Sequence, residues 1–314
     1  MRLARSPGSL PPLPRGCVAT IGNFDGVHQG HRGVIENLAC HGQRLKLPVV
    51  VVVFEPQPRE YFFPEQCPPR LTRLREKLIE LGRLPVDQVL LLRFNRTLAD
   101  LPAADFIRDI LIGHLRVKYL VVGDDFRFGR GREGDFALLK RAGEDHGFQV
   151  SDTPPILVDG QRVSSTLLRQ ALADGDMPAA TRFLGRPYAI CGRIGHGSKV
   201  GRQLGFPTAN IALLRKSAPL SGVFAVTMTG IAGHPLEGVA NVGTRPTLDR
   251  EPRVLLETHL FDFAGDLYGR RVEVHFHRKL REERRFADLH ALREQIARDI
   301  QDARAFFTSE PKKN

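Results

Sequence analysis

Two kinds of hydrophobic pattern run along the 314-residue chain, and they change over near residue 183. Before that point, short unbroken apolar runs alternate with stretches of helical spacing. Cys17–Ile21, Pro48–Phe54, Val89–Phe94 and Tyr119–Val122 are such runs. The β-branched series Val49 to Val53 predicts a strand buried on both faces, as in a parallel sheet. Helices are predicted at about His31–Arg44, where Val34, Ile35, Leu38 and Ala39 share a face, and from Arg70-Leu-Thr72 to about Leu81 with Thr72 as N-cap. Others are predicted over Ala103–Ile112, over Phe136–Ala142, and up to about Leu172 with Ser164, Ser165 or Thr166 as cap. A further strand is expected within Gln149–Val158. The proline-rich first 15 residues read as an extended lead-in. Pro56 and Pro58 make FEPQPRE, Phe54 to Glu60, a rigid loop without regular structure. Alternating strands and helices over residues 16–183 imply a doubly wound parallel sheet.

After Phe183 the texture becomes glycine-rich and alternating. Strand-like pieces follow at Tyr188–Ile194, Gly222–Met228, Val239–Val242, Val254–Leu260 and Val272–Phe276, separated by turn residues. That spacing predicts an antiparallel barrel. From Phe286 to Phe307 the pattern is helical, with Leu289, Leu292, Ile296, Ile300 and Ala303 on one stripe, and Ser309–Asn314 should fray. The expected organisation is an α/β protein of two domains, 1–183 with a doubly wound parallel sheet and 184–314 with an antiparallel β-barrel and a C-terminal helix.

Composition changes little in this picture. The chain is 42% hydrophobic and 26% charged, ordinary for a globular protein. Its net charge is +11; residues 1–183 hold 25 basic and 21 acidic side chains (+4), and residues 184–314 hold 21 and 14 (+7). The excess forms no basic tract; a basic surface favours polyanions and equally suits small phosphorylated substrates, and with no Trp there is little to stack bases on. Cys17, Cys40, Cys67 and Cys191 are scattered without a CxxC pair, so neither structural zinc nor a disulfide framework is expected and a reducing cytoplasm fits. No run of 18 apolar residues occurs and residues 1–16 lack an apolar core, so neither a membrane span nor a secretory signal is expected.

The chemistry concentrates in a few stretches. GNFDGVHQGH, Gly22 to His31, is a strand-to-helix turn in the first unit of an α/β pattern, where nucleotide phosphates bind. His28 and His31 lie three apart at a helix start, whose free N–H groups favour anions. Two histidines in a turn also occur as plain exposed polar residues, and a metal pair would need a third ligand at zinc-like spacing. GDDFRFGRGREG, Gly123 to Gly134, reads as a mobile phosphate or nucleotide loop, and VSSTLLR offers hydroxyls, helix amides and Arg169 to another phosphate.

These stretches give the chain its resemblance to prokaryotic bifunctional riboflavin kinase/FAD synthetases. GNFDGVHQGH, FEPQPRE, RLT, the GDDFRFG loop and VSSTLLR occur in that family's order in the first half. LGRPY, HGSKVGRQLGFPTAN, GVANVGTRP, LETHLFDF and GDLYG do so in the second. The resemblance implies a Rossmann-like nucleotidyltransferase domain that adenylylates FMN to FAD, and a flavokinase barrel that phosphorylates riboflavin to FMN. ATP serves both, and Mg2+ is the implied cofactor. It implies that His28 and His31 steady phosphate charge, and that Asn23, Asp25, Ser164, Ser165, Thr166 and Arg169 hold the nucleotide. Asp125 of the glycine-rich loop is assigned to the flavin. In the barrel it implies Glu257 as general base and Thr208 and Asn210 as ligands of magnesium. Gly195, His196, Gly197, Ser198, Lys199 and Gly201 then form a phosphate-covering loop, and Arg281 lies near the flavin. The chain departs from some relatives in carrying Gln57 for histidine and Phe224 for tyrosine. The expected partners are the small molecules alone, with no nucleic acid and no membrane, and the expected state is a cytoplasmic monomer or weak homo-oligomer. An adenylyltransferase of another acceptor and an RNA-binding barrel are the competing readings. Glu257 beside a metal motif argues against the first, and the thin aromatic content against the second.

Overall fold

The structure is a computed structural model. It describes the chain except for Asp124, 153–155, Ser198, Lys199, Leu214, Lys216, Leu248, Asp249 and 310–314. Its contacts divide it into two units, residues 1–68 with 72–163, and residues 69–71 with 164–314.

In the first unit the continuous apolar runs become the middle of a parallel sheet. Its strands are β1 (Arg2–Ala4), β2 (Cys17–Ile21), β3 (Val49–Glu55), β4 (Gln88–Arg93), β5 (Val117–Val121) and β6 (Gln149–Ser151). They pair in the order β1-β4-β3-β2-β5-β6, every ladder parallel. The chain builds from β2 toward β4 and then restarts at β5 on the other side, so the order reverses beside β2. Successive side chains point to opposite faces, and both faces are covered. Val50, Val52, Leu90 and Leu92 pack with Phe106, Leu111 and Leu139 on one side. Val51, Val53 and Val89 pack with Ile35 and Leu81 on the other. The covering helices include α1 (Gln29–Leu45), α2 (Pro58–Phe62), α3 (Leu74–Gly82), α4 (Arg96–Ala99), α5 (Ala103–Asp105) and α6 (Phe136–His146). α5 runs on into a π-helical stretch, Phe106–His114.

Four expectations change. The lead-in is not wholly extended coil: Arg2–Ala4 adds an edge strand to β4. FEPQPRE is not free of regular structure, because Pro58 opens α2 at its first turn, where a missing N–H costs nothing. Thr72 is not a helix cap. The N-cap of α3 is Arg73, whose N–H donates to Glu76 Oε2 at 2.6 Å. The strand expected in Gln149–Val158 is two pieces, β6 and then β7 (Leu157–Val158), which pairs with β8 (Gln161–Arg162). Between them Asp159 and Gly160 take φ of 51° and 74°, the left-handed pair a two-residue hairpin requires.

The second unit begins with α7 (Ser165–Asp174) and α8 (Met177–Leu184) and continues into the barrel. Its strands are β9 (Tyr188–Gly195), β10 (Ala209–Ala212), β11 (Gly222–Thr229), β12 (Leu236–Thr247), β13 (Arg250–Leu260) and β14 (Arg271–Arg281). A short helix, α9 (Val200–Gln203), precedes β10. The strands close in the order β10-β13-β12-β11-β14-β9, all antiparallel. Leu256, Thr258 and Leu260 face the interior, and Glu257 and His259 face outward. α10 (Leu289–Ser309) lies on part of the outer wall, with Ala303 and Ile300 against Val223, Val239 and Phe261. The expected fraying from 310 on lies outside the described residues.

Candidate functional site

The stretch from Gly22 to His31 leaves the carboxyl end of β2, at the reversal of strand order, where open α/β sheets bind ligands. One side-chain link fixes the turn. Thr72 donates its N–H to Asp25 Oδ1 at 3.0 Å and its hydroxyl to the same oxygen at 3.2 Å, while Gly26 N–H donates to Thr72 Oγ1 at 2.9 Å. Asp25 and Thr72 are buried. The backbone they hold is unusual. Phe24 and Val27 have φ of 46° and 44°, and for a β-branched residue that is a true outlier. Such strain persists where the surroundings over-determine it, and it concentrates at functional sites. Here the buried Phe24 and Val27 side chains supply the restraint.

This turn sets His28 as N-cap of α1, its Nδ1 accepting from His31 N–H at 3.4 Å. When the ring is neutral, Nδ1 is the acceptor and Nε2 carries the proton. The two imidazoles stack with centroids 3.7 Å apart. His31 is held neutral, its pKa well below the usual value, first by burial and then by positive charge on His28 and Lys77. Lys77 is fully buried on α3. The helix N-terminus, the His28 Nε2 proton and this buried ammonium are together a device for binding negative charge. Asn23 is exposed at its rim.

The other residues expected for the nucleotide lie at the start of α7, in the second unit. Ser164 is the cap among the three candidates, Oγ accepting from Leu167 N–H at 3.2 Å. Ser165 and Thr166 open the helix. Arg169 donates Nε to Pro69 O at 2.7 Å and Nη1 to Ser165 O at 3.2 Å. In the first unit Asp125 is exposed, its carboxylate turned toward Gly123. Beyond it, paired backbone bonds between Phe128 and Gly134, at 3.1 and 2.9 Å, close the second part of the same loop.

On the barrel, Thr208 borders two cavities. One, about 380 Å3, is lined by Ile194, Gly197, Thr208, Asn210, Asp266 and Tyr268 among others. The second, about 250 Å3, lies between the outer wall and α10, and includes Thr208, Asn241, Glu257, Arg281, Phe286 and Ile296. Asn210 Nδ2 donates to Thr208 O at 3.1 Å and reaches Thr208 Oγ1 at 3.4 Å. Its Oδ1 is buried with no hydrogen-bond partner among the described residues. An orphaned hard oxygen next to a hydroxyl fits a magnesium ligand set completed by phosphate and water. Glu257 pairs across the sheet with Asn210 on one side and Asn241 on the other. Arg281 is fixed by Asp299, Nε to Oδ1 at 2.8 Å and Nη2 to Oδ2 at 2.7 Å.

In the covering loop Gly195 ends β9, His196 rests on Tyr268 with ring centroids 4.1 Å apart, and Gly197 lies against the Asn210 amide. Gly201 abuts Phe206 O, so a side chain there would collide with backbone. Ser198 and Lys199 lie outside the described residues. Lys77, Asn241 and Glu283 had no assignment from sequence, and Thr72 only that of a helix cap. Only Asn241 carried a signal, as a lone amide within the apolar run of GVANVG.

The sequence pattern of the family described as FAD synthetase matches residues 10–167, and that of riboflavin kinase matches residues 184–307. The chain is 53% identical over 308 residues to the bifunctional riboflavin kinase/FMN adenylyltransferase of Escherichia coli strain K12, covering 98% of both chains. It is 51% identical over 305 residues to the protein so described in Pseudomonas fluorescens, covering 97% of each. Among solved structures it is similar to a Streptococcus pneumoniae protein described as a macrolide-efflux protein. That likeness has a TM-score of 0.80 at 28% identity and covers 96% of this chain and 98% of that one. With both patterns matched in order and a full-length relative more than half identical, the chain belongs to the family of bifunctional riboflavin kinase/FMN adenylyltransferases.

Proposed function

We propose that residues 1–183 carry the FMN adenylyltransferase activity of this bifunctional enzyme and residues 184–314 its riboflavin kinase activity. The observation that carries the reading is Glu257. It stands between Asn210 and Asn241 on the outer barrel wall, and Thr208 separates its cavity from the one that holds Asn210.

In the kinase reaction the 5′-hydroxyl of riboflavin attacks the γ-phosphorus of ATP and ADP leaves. Glu257 accepts the hydroxyl proton, and the cavity walls keep the hydroxyl in line. Thr208 and Asn210 would hold Mg2+, which when bound screens phosphate charge. The Gly195–Gly201 loop, with His196, Gly197, Ser198 and Lys199, covers the phosphates. Arg281, paired with Asp299, shapes the flavin wall.

In the adenylyl transfer the FMN phosphate attacks the α-phosphorus of ATP and pyrophosphate leaves. No covalent enzyme intermediate is needed. His28 donates its Nε2 proton to phosphate oxygen as charge builds, while the α1 amides offset the remainder. Neutral His31 stacks behind His28 and fixes its orientation. Asp25 acts through Thr72 on the shape of the turn. Ser164, Ser165, Thr166 and Arg169 clasp the nucleotide, Asn23 edges it, and Asp125 serves the flavin side. We place the enzyme in the cytoplasm as a monomer or weak homo-oligomer, with ATP, riboflavin and FMN as partners and neither nucleic acid nor membrane. Among the described residues no helix is long and apolar enough to cross a bilayer.

The test is chromatography of products from riboflavin with Mg·ATP, and separately from FMN with Mg·ATP. Wild type should give FMN and then FAD. Glu257→Gln should lose FMN formation by about 100-fold or more and still make FAD from supplied FMN. Loss of both reactions in a folded variant would overturn the division.

A further inference from the structure

Besides Glu257 and the Asp299 that Arg281 grips, the cavity is lined by a third carboxylate. Asn210, Glu257 and Asn241 are cross-strand partners on β10, β13 and β12, so they leave the outer wall in one row, ~4.8 Å per step. Gly243, two residues beyond Asn241, lies on the same face. Glu283 fills the space above it. A Cβ at Gly243 would stand 2.0 Å from Glu283 Oε1, so only glycine leaves room for the carboxylate. Asn241 Nδ2 reaches that oxygen at 3.4 Å, and Asn241 Oδ1 is buried with no hydrogen-bond partner among the described residues.

Glu283 sits on the connection between β14 and α10, and this connection is fixed. Arg281 grips Asp299 through the Nε–Nη2 edge of its guanidinium, and Arg281 and Arg284 stack on Phe286 at 5.6 and 5.0 Å. Its neighbour Glu282 pairs with Lys279 at 2.6 Å, which leaves Glu283 as the carboxylate that this connection turns to the cavity. The rest of this wall includes the apolar side chains of Val223, Val239, Leu292 and Ile296. The wall thus has an apolar part and a line of acceptor oxygens, from Glu257 through Asn241 to Glu283. Such a wall is complementary to a flat apolar body with a chain of O–H donors.

We propose that Asn241 and Glu283 recognise the polyol chain of the flavin, and so set which flavins the kinase site accepts. The inference rests on the reading of this cavity as the flavin site. Glu257 touches the hydroxyl that reacts; Asn241 and Glu283 accept from hydroxyls that do not, and they act in binding.

The experiment titrates riboflavin and lumiflavin (the same ring system with a methyl in place of the polyol) into the full-length protein, reading flavin fluorescence, and measures KM and kcat for riboflavin. Glu283→Gln keeps the shape and replaces one acceptor by a donor. Riboflavin Kd and KM should rise about tenfold, with kcat within twofold and lumiflavin Kd unchanged. Gly243→Ala, which evicts the carboxylate and leaves it chemically intact, should weaken riboflavin selectively as well. Equal weakening of both flavins, or unchanged riboflavin affinity in both variants, overturns the assignment. Folded wild type that binds and phosphorylates no riboflavin would instead overturn the flavin reading of the cavity.

Discussion

Gly197→Ala tests the kinase site at a single methyl group. A Cβ at residue 197 would lie 2.4 Å from both Cγ and Oδ1 of Asn210 and 2.5 Å from Nδ2. All three terminal atoms of a short side chain are within that distance, so no small rotation relieves the clash. Asn210 must give up its 3.1 Å bond to Thr208 O, about 1 kcal/mol, and move off its rotamer, about 1 kcal/mol more. A total of ~2 kcal/mol is about 30-fold in kcat/KM for FMN formation. The loss should appear chiefly as a raised KM for Mg·ATP, since Asn210 is assigned to the metal and phosphate. The assay is separate chromatography of FMN made from riboflavin and of FAD made from FMN, with circular dichroism to verify the fold. FAD formation should be unchanged. Kinase activity within twofold of wild type would refute the reasoning, and so would an equal fall in both reactions.

Three further outcomes are expected. His28→Ala should reduce FAD formation about 100-fold, because one preorganised donor to the reacting phosphates is lost, and should leave FMN formation intact; parallel loss of both would separate His28 from the adenylyl site. Chelation with EDTA should stop both reactions and added Mg2+ should restore them; full activity in chelator contradicts the assignment of Thr208 and Asn210. The barrel should also lose stability in acid through His277, whose pKa is pushed down to about 4, first by burial and then by positive charge on His275. Because the folded value lies below the ordinary one near 6.5, that stability is complete above pH 6.5 and is lost as the pH falls toward 4. Denaturant unfolding of His277→Gln should show a flatter pH dependence over this window, and an unchanged slope would rule His277 out as its source.

Much of the fold is legible because its signals are local. The Val49–Val53 run can only be a strand buried on both faces, and the alternation Val254, Leu256, Thr258, Leu260 fixes which way Glu257 points. What could not be read depends on partners far along the chain. β10 is only four residues long and exists through its pairing with β9 and β13. Thr72 looks like a helix cap by itself, but its hydroxyl and amide are drawn to Asp25 and Gly26, 47 and 46 residues away. Lys77 resembles any charge on an amphipathic helix until α3 is docked and that charge is buried. Asn241 and Glu283 become neighbours only when the barrel register and the β14–α10 connection are known. The site residues that were visible lie in short runs of unusual composition, such as HQGH and PTAN. Those that were not are ordinary residues whose position is set by register.

Thr208 forms part of the wall of both barrel cavities, and that makes the two occupancies a single thermodynamic problem. On the proposed assignment, a nucleotide in one that moves this threonine alters the fit of the flavin in the other. Linkage then requires the flavin to change nucleotide affinity by the same factor in return. A partition that two ligands share would couple order of addition and product retention through one side chain.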